Sequence, residues 1–370
     1  MSGAYEGRQF VGMDLHRRRS VLVRMTDTGE HLETVRISND PEYLRAVMAR
    51  AGEAPEVVLE ATYGWYWAAD TLAELGAHVH LAHPLGVKMF SYRRVKNDER
   101  DAADLADLLR LGRLPEAWIA PSATRELRGW VRHRAKLVGL RTSLKCQVHG
   151  ILAGAGVTVP MSDLFGAAGH QLLASAKVAP ESRSRIDSLL RLITALDFEI
   201  ELFAKLVAGR LRAHPGYQAI QHIPGIGPVL AGVFVAEVGD ITRFGKPEQL
   251  ASWAGLTPKH HESDATVHRG RITKQGSRLV RWAAVEAVQR LPAHTRIGSI
   301  RDRVAAPPRP QHRRRRGRAG VDRAGLLRPT RPSHTRPTSP ITGNGVNRPH
   351  TWWARVAAVM TPVHGAVAPS

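Results

Sequence analysis

The order of short apolar runs in the first 85 residues constrains the fold most. "QFVGMDLH" (9–16) has the length and composition of a buried strand and ends on Asp14 and its neighbours. "SVLVRM" (20–25) and "ETVRIS" (33–38) are two more runs, separated by the turn-rich "TDTGE", so a hairpin or meander is expected. Residues 41–52 have helical spacing. "EVVLEA" (56–61) is another strand-length run and carries Glu60 near its end. "WYWAADTLAELGA" reads as a helix closing at Gly76, and "HVHLAHP" as a strand stopped at Pro84. Three strands, then helix, strand, helix, strand and helix, specify a mixed sheet with flanking helices.

Downstream the period changes to that of helices. Residues 99–113 continue as a helix with Leu105, Leu108 and Leu109 on an apolar stripe. Ser122 to about Ala153 has helical spacing and many basic residues. In 182–213, Ile186, Leu189, Leu190, Ile193, Leu196 and Ile200 recur at three and four. Two long amphipathic helices around a Gly/Pro-containing connection predict a helical hairpin or coiled coil. The expected organisation is 1–120, an α/β domain; 121–213, a long-helix segment; 214–300, an α-rich domain; and 301–370, a disordered tail.

Charge narrows the partner. The formal net charge is +20 over 370 residues, and the isoelectric point is about 11.0. Such a field favours a polyanion, nucleic acid before membrane. Between Arg303 and Arg336 there are 11 Arg, no Lys and one acid, Asp322, so the tail alone supplies half of the excess. The remainder is still basic. Cys146 is the only cysteine, which excludes an intrachain disulfide and a cysteine-rich zinc site and fits a reducing cytoplasm. "MSGAYEGRQF" has no apolar signal core, and no apolar run approaches the ~20 residues of a membrane helix.

Against this basic background, "KNDERDAADLADLL" (96–109) spaces Asp98, Asp101, Asp104 and Asp107 three residues apart. Residues so spaced are expected to share a helix face. A solvated face pairing with Arg93, Arg94, Lys96 and Arg100 would account for them. The alternative is a site. Asp14 and Glu60 end predicted strands, and ligands gather at strand ends of α/β sheets. If the acidic helix crosses those ends, Asp14, Glu60, Asp98 and Asp101 converge and require cations. Mg²⁺ prefers such oxygen ligands, and two metals about 4 Å apart could support phosphodiester chemistry.

"FVGMDLH", "VVLEATYGWYWAADTL", "HLAHPLGVKMF" and "VKNDERDAADLADLLRLG" together resemble the RuvC-like, ribonuclease-H-type domain of DEDD transposases. The closest resemblance is to the insertion-sequence-110 family, which includes the pilin-gene invertase. It implies a metal-binding tetrad of Asp14, Glu60, Asp98 and Asp101, with Asp104 as the alternative for the last place and Asp107 facing solvent.

The second half carries two further signals. "IPGIGPVLAGVFVAEVG" looks like a helix–hairpin–helix in which Gly225 and Gly227 allow a tight turn before a helix N-terminus that could meet a phosphate. A glycine turn between core helices is the plain alternative. "LASWAGLTPKHHESDATVHRGRITKQGSRLVRWAAVEA" (250–287) resembles the C-terminal domain of the same family. The resemblance places a nucleophile at Ser263, with Arg271, Lys274 and Arg278 as phosphate contacts. Family members usually have Ser where Glu262 stands and Gly where Asp264 stands; both departures add negative charge beside the serine. His260, His261 and His268 lack the spacing of a metal site and are read as solvent-facing or phosphate-contacting.

The resemblance covers roughly 9–300. It implies a DNA transposase that cuts and rejoins DNA, acts as a homo-oligomer and takes its targets from a structured guide RNA. The alternatives are a metal-dependent, structure-specific nuclease without a covalent intermediate and a nucleic-acid-binding remnant without catalysis. After about Ala305 the family usually continues with an Ala/Arg/Val-rich helix and a Tyr-Tyr-Gly segment. Codons exist for "PRPQHRRRRGRAGVDRAGLLRPTRPSHT" (308–335) that read as such a segment when shifted by one base. The tail is therefore expected to be a frameshifted product, and Arg313 to Arg316 an accident of translation.

Overall fold

The computed structural model describes residues 5–90, 97–264 and 266–305. The expectations for Arg93, Arg94, Lys96 and the tail beyond Ala305 lie outside the described residues. The chain divides into two compact units between Pro121 and Ser122.

The first unit is a six-stranded mixed sheet with helices. Its elements are β1 (Phe10–Leu15), β2 (Arg19–Met25), β3 (His31–Ser38), α1 (Pro41–Met48), β4 (Glu56–Glu60), α2 (Tyr66–Glu74), β5 (His78–Ala82), α3 (Pro84–Val87), α4 (Asp98–Arg110) and β6 (Glu116–Ala117). The sheet order is β3-β2-β1-β4-β5-β6. β1, β2 and β3 form an antiparallel meander; β4 joins β1, and β5 joins β4, in parallel; β6 closes the edge antiparallel to β5. β1 is buried along its whole length, as its apolar run requires.

Side chains of a strand alternate between faces. On one face, Val11, Met13, Leu15, Val57 and Leu59 pack in a common core with Leu44, Val47, Ala68 and Leu72 of α1 and α2. On the other face, Phe10, Val58 and Ala82 meet Leu105 and Leu109 of α4, while Val21 and Val23 meet Ala102 and Ala106. Gly12 faces α4, and its lack of a side chain has a clear cause. A Cβ there would lie 1.8 Å from the Ala102 carbonyl oxygen and 2.9 Å from the Ala106 nitrogen. The helix backbone thus rests directly on β1.

The second unit is mainly helical. α5 (Ser122–Gly154) and α7 (Pro180–Leu211) pack against each other, with the short α6 (Ala167–Ser175) between them in sequence. On α7, Ile186, Ile193, Ile200 and Val207 are buried at intervals of seven, the spacing of a coiled-coil seam. At one end of the pair, Val148 and Leu152 join Ile186, Ile193 and Leu173 of α6. At the other, Leu127, Val131, Val207 and Leu211 enter the core of the C-terminal elements.

Those elements are α8 (Pro215–Gln221), α9 (Pro228–Val238), α10 (Pro247–Trp253), β7 (Pro258–Ser263), β8 (Thr266–Ile272), α11 (Arg278–Gln289) and α12 (Arg296–Ala305). α9 is buried from Leu230 to Val238, including Glu237. Arg132 of α5 grips Glu237 with two nitrogens at 2.7 and 3.0 Å, and the Ser277 hydroxyl donates to it at 3.0 Å. Arg128 donates to the Ala236 and Glu237 carbonyls, satisfying the last turn of α9.

Candidate active site

Asp14 lies near the end of β1 on the face that receives α4. Glu60 ends β4 on the same face, because Val58, two residues earlier, packs against α4. The parallel register pairs Met13 with Leu59, so Asp14 and Glu60 come next on adjacent strands. α4 begins beside them. Its N-cap is Asn97, whose side chain accepts from the Glu99 N–H at 3.0 Å. The Gly12 contact fixes the height of the helix above the sheet.

The structure brings Asp14 and Asp98 together through a residue absent from the expected set. His16 Nε2 is 3.1 Å from an Asp14 oxygen and 3.3 Å from an Asp98 oxygen. The three donor atoms lie within 4.8 Å of one another, the one such group among the described residues. Asp14 is 9% exposed. His16 Nε2 is shielded from solvent and has a well-aligned hydrogen bond with neither carboxylate. Glu60 and Asp101 are half-buried and stand outside this group, and Asp104 is exposed. His16 carried a weak signal in the sequence: it lies two residues beyond Asp14, past the end of the apolar run.

The four acids of α4 do not share a face. Each step of three residues turns the helix by 300°, so three steps place Asp107 about 180° from Asp98. Asp98 accordingly meets His16, whereas Asp107, its side chain 44% exposed, faces solvent and pairs with Arg110 at 2.6 Å.

The predicted residues of the second unit fall in two places. Ser263 ends β7 and is exposed. It pairs with Thr266 across the hairpin turn, where Asp264 adopts a φ of +52°. Glycine enters that conformation without a steric penalty, and Asp is among the side chains that tolerate it. Arg271, Lys274 and Arg278 are exposed beside this hairpin, Lys274 with a φ of +58°. His260 contacts Glu262 at 3.2 Å.

The base of the hairpin is tightly held. Arg281 Nη1 donates to the carbonyls of Ala254, Gln275 and Gly276 at 2.9, 2.8 and 3.1 Å. A Cβ on Gly255 or Gly276 would lie 1.9 Å from a carbonyl oxygen, that of Gln275 or Trp253 respectively. In the turn between α8 and α9, Gly225 has a φ of +87° and a Cβ there would meet the Ala287 carbonyl at 2.5 Å. Gly227 differs from expectation: it is the N-cap of α9 in an extended conformation, φ −89°, and no conformational constraint demands glycine there.

Comparison with known proteins agrees with both halves. A DEDD transposase model of the IS110 type matches residues 11–156, and the model described as "Transposase IS116/IS110/IS902 family" matches 217–304. The chain belongs to the IS110 family of transposases. It is 29% identical over 234 residues to the "Probable family 20 transposase" of Pseudomonas aeruginosa, covering 60% of this chain and 67% of that protein. It is 25% identical to the transposase for insertion sequence element IS1111A of Coxiella burnetii, covering 78% and 79% of the two chains. A shorter stretch of 98 residues is 31% identical to the insertion element IS110 protein of Streptomyces coelicolor, covering 26% of this chain and 24% of that one.

For a DEDD chain of this family a divalent metal is implied, and the residues present fit one. Two carboxylate oxygens and an imidazole nitrogen converge, and the nitrogen is a buried polar atom without an aligned partner. Such a set also admits metals that accept nitrogen more readily than Mg²⁺ does.

Proposed function

We propose that this IS110-family chain cuts and rejoins DNA, using a divalent metal at the Asp14 site and Ser263 as a covalent nucleophile. The convergence of Asp14, His16 and Asp98 at the parallel strand ends carries this reading. The sheet order, with an antiparallel meander continued by parallel strands, supports a RuvC-like, ribonuclease-H-type description of the first unit. Asp14 and Asp98 would hold the metal, Glu60 and Asp101 would complete the tetrad through side-chain rotation or water, and Mg²⁺ is the proposed ion. When bound, it supplies positive charge to the phosphate and to the leaving oxygen.

Ser263 Oγ forms the bond to phosphorus as the bridging P–O bond breaks. The serine proton leaves to solvent, and the leaving oxygen is protonated in turn. The resulting phosphoserine link preserves the energy of the broken bond for rejoining by a strand hydroxyl. Exposed Arg271, Lys274 and Arg278 would hold flanking phosphates. The turn at Gly225 and the start of α9 at Gly227 form a proposed helix–hairpin–helix backbone contact. Guide RNA and a homo-oligomer complete the proposal; exposed Leu192, Phe198, Leu202 and Leu206 on α7 support a contact between copies.

A metal-dependent nuclease without a covalent step is the second reading. The acidic residues at 262 and 264 favour it, because they disfavour phosphate beside Ser263. Labelled DNA carrying the element's ends is incubated with the full chain, the adjoining non-coding RNA, and Mg²⁺ or Mn²⁺, then resolved on denaturing gels. Asp14→Ala and Asp98→Ala should abolish cleavage. Ser263→Ala should abolish the covalent adduct, whereas Ser252→Ala and Ser277→Ala should retain it. Cleavage that persists in Ser263→Ala would establish the nuclease reading.

A further inference from the structure

We infer that the acid site receives an unpaired DNA strand, with its phosphates on Arg17 to Arg19 and one base stacked on Tyr63. This rests on the reading above, that the site acts on phosphodiesters, and adds the form of the substrate and the residues that hold it.

The first observation is the turn between β1 and β2. Arg17, Arg18 and Arg19 are consecutive, exposed, and without an ion-pair partner among the described residues. They directly follow His16. Their backbone is held: His16 N–H donates to the Arg19 carbonyl at 3.2 Å, and Asn39 N–H to the Arg18 carbonyl at 3.0 Å. Asn39 Nδ2 donates to the His16 carbonyl at 2.6 Å, and Ser20 Oγ donates to Asn39 Oδ1 at 2.6 Å. Three exposed arginines are therefore carried in succession on a held backbone, two in the turn and Arg19 at the start of β2. Their mutual repulsion is relieved by an anion, and guanidinium groups match phosphate oxygens well.

The second observation lies on the other side of the acids. Tyr63 follows Glu60 by three residues and is 83% exposed. Its approach is also held. Ala61 N–H donates to the Ala82 carbonyl at 3.0 Å, and Thr62 N–H to the Glu60 carbonyl at 2.7 Å. Gly64 then turns the chain with a φ of +78°. A large aromatic ring is thereby kept in water beside a proposed phosphodiester site. Nucleobases stack on such rings whatever their sequence.

Sheet order joins the two. Along β2-β1-β4 the strand ends carry Arg19, then Asp14, then Glu60, and Tyr63 follows three residues past the end of β4. With strands about 4.8 Å apart, Arg19 at the start of β2 and Glu60 at the end of β4 are separated on the order of 10 Å, and Tyr63 is three residues further along the chain. A strand crossing the acids can reach both. A base in an intact duplex is already stacked and paired, so only a base out of the duplex can occupy Tyr63.

Photocrosslinking tests this locally, without interference from the rest of the basic surface. The full chain in EDTA is mixed with a thymine-rich oligonucleotide containing 5-iododeoxyuridine, single-stranded or annealed to its complement, then irradiated and mapped by mass spectrometry. The single strand should crosslink at Tyr63, and the duplex at least about tenfold less. Tyr63→Phe should retain a crosslink at residue 63, and Tyr63→Leu should lose it by about tenfold. Tyr43→Leu, at an exposed tyrosine on α1, should leave it unchanged. Arg17→Ala with Arg18→Ala should lower the yield and reduce the salt slope of the Tyr63 crosslink by about 1.4, two phosphate contacts on a single strand. Equal crosslinking of duplex, a dominant crosslink elsewhere, or an unchanged salt slope overturns the inference. Because metal is absent, these outcomes are independent of cleavage. A Tyr63 crosslink in a protein whose Asp14→Ala variant cleaves normally would overturn the parent reading and leave the strand track standing.

Discussion

Gly12→Ala tests how the acid site is positioned. The added methyl would lie 1.8 Å from the Ala102 carbonyl oxygen, whereas real Cβ atoms essentially never approach within 3.0 Å. The obstacle is helix backbone, so no rotamer change relieves it. α4 must lift from β1 by about 1.2 Å or the strand must bend by a similar amount. Overpacking of this kind costs roughly 1–3 kcal/mol, and the rigidity of both partners places it at the upper end, about 3 kcal/mol. For a domain of this size that is a fall in Tm of roughly 10 °C. The larger consequence is chemical. Asp98 moves with α4 and Asp14 stays with the sheet, whereas metal–ligand distances tolerate only about 0.2 Å. Mn²⁺ affinity should therefore fall by at least about tenfold. Calorimetric melting and isothermal titration with Mn²⁺ measure the two effects. Gly139→Ala is the control, because a Cβ there meets nothing within 4 Å and alanine favours a helix. If Gly12→Ala retains both Tm and Mn²⁺ affinity, the contact with Ala102 does not set the geometry of the site.

Burial alone would raise the pKa of Glu56, but hydrogen bonds from Arg8, His78 and His80 outweigh it and bring the value down to about 2 from 4.5. Its stabilisation is present above pH ~4.5 and is lost as pH falls toward 2, roughly 3 kcal/mol over that window. Glu56→Gln should flatten the acid limb of stability against pH; an identical limb in variant and parent would show that these contacts carry no such energy. Asp264→Gly should stabilise the hairpin by about 0.5–1 kcal/mol, because φ +52° suits glycine better, read as slower amide exchange in 258–272. Arg281→Ala removes three carbonyl contacts and should speed tryptic cleavage after Arg269 and Arg271 several-fold while global melting changes less.

The strands and helices of the first unit were legible because their apolar runs are short, well separated and mostly buried, as in β1 and β4. Asp14 and Asp98 could be singled out from their places at a strand end and a helix start. His16 could not, because a lone histidine past a strand end has no period to mark it. The shared face assigned to the four acids failed because a local neighbour rule was extended over three steps of a 3.6-residue helix. The role of Gly12 was invisible for a different reason: it depends on a backbone about 90 residues away in sequence. β7 and β8 escaped notice because nearly every residue in them is exposed, which leaves no apolar alternation. Gly227 was grouped with Gly225 by spacing alone, although only Gly225 occupies a conformation that favours glycine.

The attachment of α4 has a consequence for the thermodynamics of metal binding. Near its start, Arg36 bonds Glu99 at 2.8 Å; at its middle, the helix backbone meets Gly12; at its end, Arg110 donates to the Asp27 carbonyl at 3.3 Å. Contacts spread along its length resist a swing toward an incoming ion. Adjustment then falls on the χ angles of Asp14, His16 and Asp98, so little backbone ordering entropy is left to lose when the ion arrives. The spacing of the donor atoms, within 4.8 Å of one another, is then set by the packing of helix on sheet before any ion is bound.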